Sequence, residues 1–148
     1  MKLPGSSTRT FLLFPLLVFS FEFLTKEKIV VDWVFIPLLA WGWLQYYLVG
    51  SYRLRLGGGG PGMEKPPERL VTGGPYAWTR NPMYLGHLIF LVGLALTLQS
   101  LLAAALALFS VFYFLERVRR DEHRLGERFG EEYAGYCRRV KRWIPGIF

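Results

Sequence analysis

The sequence is poor in the residues that build disulfides and metal centres. Its 148 residues include one cysteine, Cys137, and two histidines, His87 and His123. A single cysteine excludes an internal disulfide and a cysteine metal cluster, and two isolated histidines lack the ligand spacing of a metal site. The glycine-rich run at residues 57–62 follows no apolar strand and precedes no Gly-Lys-Ser/Thr, and no nucleophile elbow is present. The sequence therefore argues against metal, dinucleotide, P-loop and serine-hydrolase sites.

Acidic residues are also in the minority. The chain has 18 Lys and Arg against 11 Asp and Glu, for a formal net charge of +7. Its hydrophobic content of 52% and mean hydropathy of +0.25 are high for so short a chain. This combination favours an integral membrane protein whose basic residues lie in cytoplasmic loops beside anionic lipids, and it argues against a nucleic-acid partner.

Four apolar runs predict an all-α, polytopic membrane protein with a single domain at residues 1–148. The predicted spans cover residues 10–24, 29–50, 83–98 and 100–116. The apolar stretch from residue 83 to 115 is about twice as long as one bilayer crossing requires. Polar residues at its middle predict a tight turn between spans three and four: Thr97, Gln99 and Ser100. Residues 117–148 are predicted to form a helical segment that continues span four and breaks near Gly130.

The regions around the spans yield further expectations. Glu22 should lie at the interface near Lys26 and Lys28, and residues 51–72 read as a flexible linker or lid. Basic residues are frequent at the N-terminus, in this linker and after span four, and rare in the other loops. The distribution predicts that both termini face the cytoplasm across the cell inner membrane. Small residues predict close helix contact on span three: Gly86, Gly93 and Ala95.

The most informative stretch is residues 73–86, Gly-Gly-Pro-Tyr-Ala-Trp-Thr-Arg-Asn-Pro-Met-Tyr-Leu-Gly, called the motif turn here. Asn81 and Pro82 predict the N-cap and first position of a helix. A polar, aromatic turn is thereby placed at the mouth of a membrane helix, where its polar groups need partners or a cavity. Arg80 suits a carboxylate. Aromatic rings suit an adenine or a sulfonium: Tyr76, Trp78 and Tyr84.

A second group of candidate functional residues lies after span four. Val118, Glu122, Leu125 and Phe129 recur at helical spacing, so a carboxylate stands within an apolar stripe. Such a group needs a cationic partner or a function, and Asp121 or Glu122 suits an amine or another positive centre. His87, one turn inside span three, is a further candidate ligand contact.

Together these stretches resemble the isoprenylcysteine carboxyl methyltransferase family, including its prokaryotic members and the related phospholipid N-methyltransferases. The resemblance rests on residues 68–86, the apolar hairpin, and Arg117-x4-Glu122-x2-Leu125-x3-Phe129-Gly130-Glu131-Glu132-Tyr133-x2-Tyr136. It implies an S-adenosylmethionine-dependent methyltransferase that releases S-adenosylhomocysteine. The cofactor would lie in a cytoplasmic pocket closed by the C-terminal segment. The implied acceptor is lipophilic, by family default the carboxylate of an isoprenylcysteine-like substrate, with a phospholipid or other lipid amine as the alternative.

The resemblance also implies residue roles. Arg117 would engage the acceptor carboxylate, and Glu122 would orient the acceptor or take a proton from an amine. Asn81 replaces the histidine of the family motif; its amide donates and accepts hydrogen bonds but cannot become cationic. With Arg80 and His87 added, the predicted cofactor-binding residues are Glu68, Arg69, Leu70, Val71, Tyr76, Arg80, Asn81, Pro82, Met83, Tyr84, His87 and Asp121.

Helix geometry leaves two arrangements open for the acid pair. On an ideal helix Arg117 shares a face with Asp121 and stands about 140° from Glu122. Either the helix is distorted at this point, or Arg117 pairs with Asp121 while Glu122 points into the pocket.

Two other classes of protein remain as alternatives. Membrane sterol reductases, which use a nicotinamide cofactor, have a similar C-terminal arrangement, but they are a larger fold than 148 residues and about four spans. A non-catalytic lipid-binding protein accounts for the basic helices and aromatic belts. It does not account for Glu122 within an apolar stripe or for the motif turn.

Overall fold

The structure is a computed structural model that describes residues 5–26, 28–59 and 67–143. Within these residues it contains helices, turns and no strand, so the all-α prediction is confirmed. We label the helices α1 (Ser6–Thr25), α2 (Trp33–Gly57), α3 (Pro82–Thr97) and α4 (Leu101–Arg139). A short 3-10 turn, Gly74–Ala77, lies within the motif turn.

Three of the helices are long and apolar enough to cross a membrane: α1, α2 and α4. Large apolar side chains along α1, including Leu16, Phe19 and Phe23, are exposed, as expected for an integral membrane protein in contact with lipid. Helix α3 is apolar but has 16 residues, fewer than the roughly 20 that a bilayer crossing requires. The count of four spans therefore stays a prediction.

Helix α2 is shifted relative to its predicted span. Asp32 begins it, because the carboxylate accepts a hydrogen bond from the Val34 N–H at 3.1 Å. The helix continues to Gly57, which corrects the predicted polar break at residue 51. Arginines are good helix formers and are favoured near the helix C-terminus by its dipole, and Gly58, with φ +66°, ends the helix. Residues 60–66 of the predicted linker lie outside the described residues.

The tight turn predicted between the last two apolar runs is confirmed. Helices α3 and α4 are joined by Leu98, Gln99 and Ser100, and Gln99 adopts a positive φ of 44°. The Ser100 hydroxyl accepts a hydrogen bond from the Ala103 N–H at 3.2 Å and so caps α4. The turn thus reverses the chain, and Ser100 begins α4.

Glu22 ties α1 to this turn. Its carboxylate is 2% exposed, pairs with Lys26 at 2.6 Å and accepts a hydrogen bond from the Ser100 hydroxyl at 2.5 Å. The Lys26 ammonium also donates to the Gln99 carbonyl at 3.3 Å. The predicted neighbour Lys26 is therefore present, and the carboxylate is buried against the hairpin turn. Its position at the membrane interface stays a prediction.

The chain divides into two compact units. The first comprises Met1–Leu44 and Gly86–Phe112, and the second comprises Gln45–Leu85 and Tyr113–Phe148. The first has an apolar core around Val18, Leu91 and Leu94. The second contains residues 73–85 of the motif turn and the end of α4. The assignment of residues 1–148 to a single domain stays a prediction.

Two glycines permit close helix contact in the first unit. A Cβ at Gly93 would lie 2.6 Å from the Leu39 backbone nitrogen, and one at Gly42 would lie 2.3 Å from the Phe90 backbone nitrogen. Both distances are far below van der Waals contact. Helices α2 and α3 therefore approach each other closely because these two positions are glycine. The close packing predicted at Gly93 is present, and Gly42 is its counterpart on α2.

Gly93→Ala is expected to lower the stability of the protein by about 1–3 kcal/mol, because the added methyl group forces two backbones apart. The midpoint of thermal unfolding in detergent measures this effect. Gly50→Ala is the control, since its Cβ would meet only the flexible end of Met83 at 3.4 Å. Equal midpoints for the two variants would contradict the assigned contact.

Candidate active site

The second unit contains a cavity with about 790 Å³ of empty space, including its open mouth. Its wall is built from the end of α2, residues 67–71, the motif turn with the start of α3, and α4. The lining residues are Arg53, Pro67, Leu70, Val71, Tyr76, Arg80, Asn81, Met83, Tyr84, Asp121, Glu122, Arg124, Leu125, Tyr133 and Tyr136.

Glu122 lies between two guanidinium groups. Arg142 donates to its Oε2 atom from Nε at 3.0 Å and from Nη2 at 2.6 Å. Arg80 of the motif turn approaches Oε1 at 3.3 Å. The hydrogen bond to Glu122 raises the pKa of the Arg142 guanidinium. The carboxylate in the apolar stripe thus has the cationic partners that its position requires.

Asp121 is the centre of a second cluster. The Tyr84 hydroxyl donates to its Oδ2 atom, Arg124 pairs with its Oδ1 atom, and Arg117 Nε lies 3.6 Å from Oδ2. Of the two arrangements left open by helix geometry, the structure has the one in which Arg117 pairs with Asp121 and Glu122 lines the cavity.

Hydrogen bonds tie the motif turn to the C-terminal residues. The Arg80 N–H donates to the Lys141 carbonyl at 3.0 Å. The Thr79 hydroxyl and the Asn81 amide both donate to the Arg142 carbonyl, at 3.0 and 3.1 Å. Asn81 thus uses a neutral donor to hold the residue whose side chain clamps Glu122.

A kink in α4 brings two tyrosines to the cavity. Gly130 has φ 52° and ψ −123°, outside the helical region, and Tyr133 and Tyr136 follow it. The Tyr136 hydroxyl donates to the Tyr76 carbonyl at 2.6 Å. Burial raises the pKa of the Tyr76 phenol well above its usual range, so this ring is neutral.

Most of the predicted cofactor-binding residues line the cavity: Leu70, Val71, Tyr76, Arg80, Asn81, Met83, Tyr84 and Asp121. Of the two predicted catalytic residues, Glu122 does and Arg117 does not. Glu68 and Arg69 are exposed and Pro82 is buried, and none of the three lines the cavity.

The structure places two further predicted residues away from the cavity wall. Trp78 is 71% exposed and does not line the cavity, so it adds no ring to it. His87 belongs to the first unit, where it is fully buried with its ring 4.6 Å from the Phe11 ring. His87 does not line the cavity, and its role in cofactor binding stays a prediction.

Sequence reasoning assigned no role in the site to several wall residues: Arg53, Pro67, Arg124, Leu125, Tyr133 and Tyr136. A signal for Arg53 was present, because Val49, Arg53 and Gly57 are spaced four apart and form one buried face of α2. Tyr133 and Tyr136 stand three apart after a helix-breaking glycine, which presents both rings on one face.

The arginines outnumber the acids at this site. Five guanidinium groups line the cavity or pair with its acids, and the cavity wall has two carboxylates, which leaves three positive charges in excess among the described residues. The five are Arg53, Arg80, Arg117, Arg124 and Arg142. The cavity therefore favours anionic groups.

These features define a helical membrane protein with a cavity of paired arginines and acids next to aromatic rings. Residues 39–132, more than half of the chain, match the family model described as phospholipid methyltransferase. The chain belongs to this family.

Three relatives illustrate the similarity. Protein-S-isoprenylcysteine O-methyltransferase B of Arabidopsis thaliana is 38% identical over 81 residues, which cover 54% of this chain and 41% of the relative. The protein-S-isoprenylcysteine O-methyltransferase of Saccharomyces cerevisiae is 37% identical over 79 residues, 53% of this chain and 33% of the relative. The nickel-cobalt-cadmium resistance protein NccN of Alcaligenes xylosoxydans xylosoxydans is 36% identical, with 53% and 37% covered. The matched region thus spans less than half the length of each relative.

Proposed function

We propose that this protein is an S-adenosylmethionine-dependent methyltransferase that methylates the carboxylate of a lipophilic, isoprenylcysteine-like acceptor at the membrane interface. The observation that carries the proposal is the pairing of Arg80, from the motif turn, with Glu122 in the wall of one cavity. Membership in the phospholipid methyltransferase family and the names of two relatives support it.

The wall fits the chemistry of the proposed cofactor. Glu122 Oε1 and Arg80 Nε are buried and make no hydrogen bond among the described residues, although Arg80 Nη2 lies 3.3 Å from Oε1 as an ion pair. A carboxylate oxygen suits an ammonium group, and a guanidinium N–H suits a carboxylate. The amino-acid part of S-adenosylmethionine has both groups. Tyr76 and Tyr84, with apolar Leu70 and Val71, offer surfaces for its adenosyl part.

When bound, S-adenosylmethionine supplies an electrophilic methyl group on a sulfonium. The protein's own residues bind and orient the reactants and exclude water, and orientation of this kind is worth up to about 7–11 kcal/mol. A carboxylate acceptor is ionised at pH 7, so this reaction requires no general base. That agrees with Asp121 and Glu122, which are both held in ion pairs.

The charge of the site favours a carboxylate acceptor over an amine. The site has three positive charges in excess among the described residues, and these repel a protonated lipid amine and attract an anion. An amine would also need a base to remove its proton, and both acids of the site are engaged by arginines. We therefore do not favour the phospholipid N-methyltransferase alternative.

The proposal includes an orientation. Residues 73–85 of the motif turn and the end of α4 belong to one unit, and the end of α4 is rich in arginine. The positive-inside rule then favours a site and termini on the cytoplasmic side of the inner membrane. Helices α1 and α2, with their exposed apolar side chains, would stand in lipid, from which the acceptor enters.

Calorimetry on the detergent-purified protein tests the reaction class. We expect micromolar binding of S-adenosylmethionine and no binding of NADPH. Tyr84→Ala should weaken this binding about tenfold, because it removes a cavity ring and the hydroxyl that positions Asp121. Tyr47→Ala, an exposed tyrosine of α2, is the control.

Two other results would contradict the proposal. Binding of NADPH without S-adenosylmethionine would replace the proposal with the reductase alternative. A folded protein that binds neither would support a non-catalytic, lipid-binding role.

A further inference from the structure

Arg53 lies in the cavity wall although it belongs to neither of the two motifs. It is 8% exposed and stands one turn before the end of α2. Val49 is buried one turn before it, and Gly57 one turn after it packs against Pro67 and Val71. This face of α2 is therefore fixed by packing, and it carries a guanidinium group into the wall.

Arg53 shares the cavity wall with an aromatic ring, Tyr76, and with apolar Leu70 and Val71. The Tyr76 phenol interacts electrostatically with Arg53, but burial outweighs this effect, raises the pKa of the phenol and keeps it neutral. Leu70 and Val71 contribute apolar surface. A buried guanidinium beside such groups strengthens the attraction for an anion, because little water remains to screen the charge.

The charge of the whole site points the same way. The cluster of five arginines and two carboxylates has three positive charges in excess among the described residues. This excess favours anionic ligand groups in the cavity. A guanidinium binds a carboxylate through two parallel hydrogen bonds, which gives orientation as well as affinity.

We infer that Arg53 binds a carboxylate of a ligand in this cavity. The inference rests on the proposed function, which supplies two carboxylates of the same chemistry. One belongs to the amino-acid part of S-adenosylmethionine, and the other is that of the acceptor. Arg53 is thereby assigned as a binding residue supplied by α2, in addition to those of the motif turn and α4.

The test compares two ligand pairs that differ in their carboxylate. S-Adenosylhomocysteine is compared with 5′-methylthioadenosine, which lacks the amino-acid part. N-Acetyl-S-farnesylcysteine is compared with its methyl ester. Dissociation constants are measured by calorimetry in detergent for the wild type, Arg53→Gln and Arg53→Lys. Arg55→Gln, an exposed arginine of the same helix, is the matched control.

Arg53→Gln is expected to weaken binding of one carboxylate ligand by about 10- to 100-fold and to leave its carboxylate-free partner unchanged. Arg53→Lys should recover part of the lost affinity, because lysine retains the positive charge but not the two parallel N–H donors of the guanidinium. Weaker binding of S-adenosylhomocysteine would assign Arg53 to the cofactor carboxylate. Weaker binding of N-acetyl-S-farnesylcysteine would assign it to the acceptor carboxylate. Unchanged binding of the carboxylate-free ligands reports that the variants are folded.

Three results would overturn the inference. Equal affinities in wild type and Arg53→Gln for all four ligands would remove Arg53 from binding while leaving the proposed function intact. An equal loss of affinity for N-acetyl-S-farnesylcysteine and its methyl ester, or for both adenosyl ligands, would show that Arg53 has a structural role instead. A folded wild type that binds none of the four would overturn the proposed function and the inference together.

Discussion

Glu122→Gln is expected to abolish measurable methyl transfer and to weaken S-adenosylmethionine binding by more than tenfold. Glutamine keeps the shape of the side chain but removes the negative charge between Arg80 and Arg142, which approach at 3.3 and 2.6 Å. The two guanidinium groups then lack their counter-charge, and the site loses the oxygen assigned to the cofactor ammonium.

The same change should lower stability by about 2–3 kcal/mol, because a carboxylate within a hydrogen-bonded ion-pair network is lost. The value lies below that for a fully buried pair, since Arg142 is 38% exposed. Thermal unfolding in detergent measures this effect, and transfer of a radiolabelled methyl group from S-adenosylmethionine measures activity.

Glu127→Gln on the same helix is the control. Glu127 is 68% exposed and pairs only at 3.5 Å with His123 among the described residues, so both measurements should match the wild type. Full activity of Glu122→Gln would remove Glu122 from the catalytic residues.

Gly130→Ala is the second change with a large expected effect. Gly130 has φ 52° and ψ −123°, a conformation that residues with a Cβ rarely adopt. A Cβ at this position would meet no atom within 4 Å, so the cost comes from the backbone alone. We expect a loss of about 1–3 kcal/mol.

The effect should extend to the cavity. When alanine draws residue 130 toward helical geometry, Tyr133 and Tyr136 turn away from the wall that they line. The hydrogen bond from the Tyr136 hydroxyl to the Tyr76 carbonyl is then lost. Binding of S-adenosylhomocysteine should weaken along with the unfolding midpoint.

Gly126→Ala is a matched control on the same helix. Its Cβ would lie 3.8 Å from Tyr133 Cδ1, an ordinary contact, and alanine is favoured over glycine in a helix by about 1 kcal/mol. This variant should be as stable as the wild type or more so. If the Gly126 and Gly130 variants behave alike, the kink has no role in the site.

Local patterns in the sequence determined the helices and the turns between them. Apolar runs predicted the four helices, and Thr97, Gln99 and Ser100 predicted the hairpin turn that the structure has at Leu98–Ser100. The break near Gly130 and the helix start at Pro82 were equally readable. These features depend on residues a few positions apart, because hydropathy, glycine torsion and proline geometry act within one or two turns.

The helix ends were less predictable. The polar composition of residues 51–57 indicated a linker, yet α2 continues through them to Gly57. Arg53 and Arg55 favour a helix as much as a loop, and the packing of Gly57 against Pro67 and Val71 decides in favour of the helix. A choice between two locally acceptable states is made by contacts with distant residues.

The sequence by itself determined the class of protein and the main chemical groups of the site: the motif turn with Arg80 and Tyr84, and the acids Asp121 and Glu122. Only the tertiary structure decided their partners. It paired Glu122 with Arg142, twenty residues away, brought Arg53 into the wall, and left Trp78 exposed and His87 in an apolar core. The physical reason is range: helix periodicity sets which face a residue occupies, whereas the group that meets this face depends on packing between segments far apart in sequence.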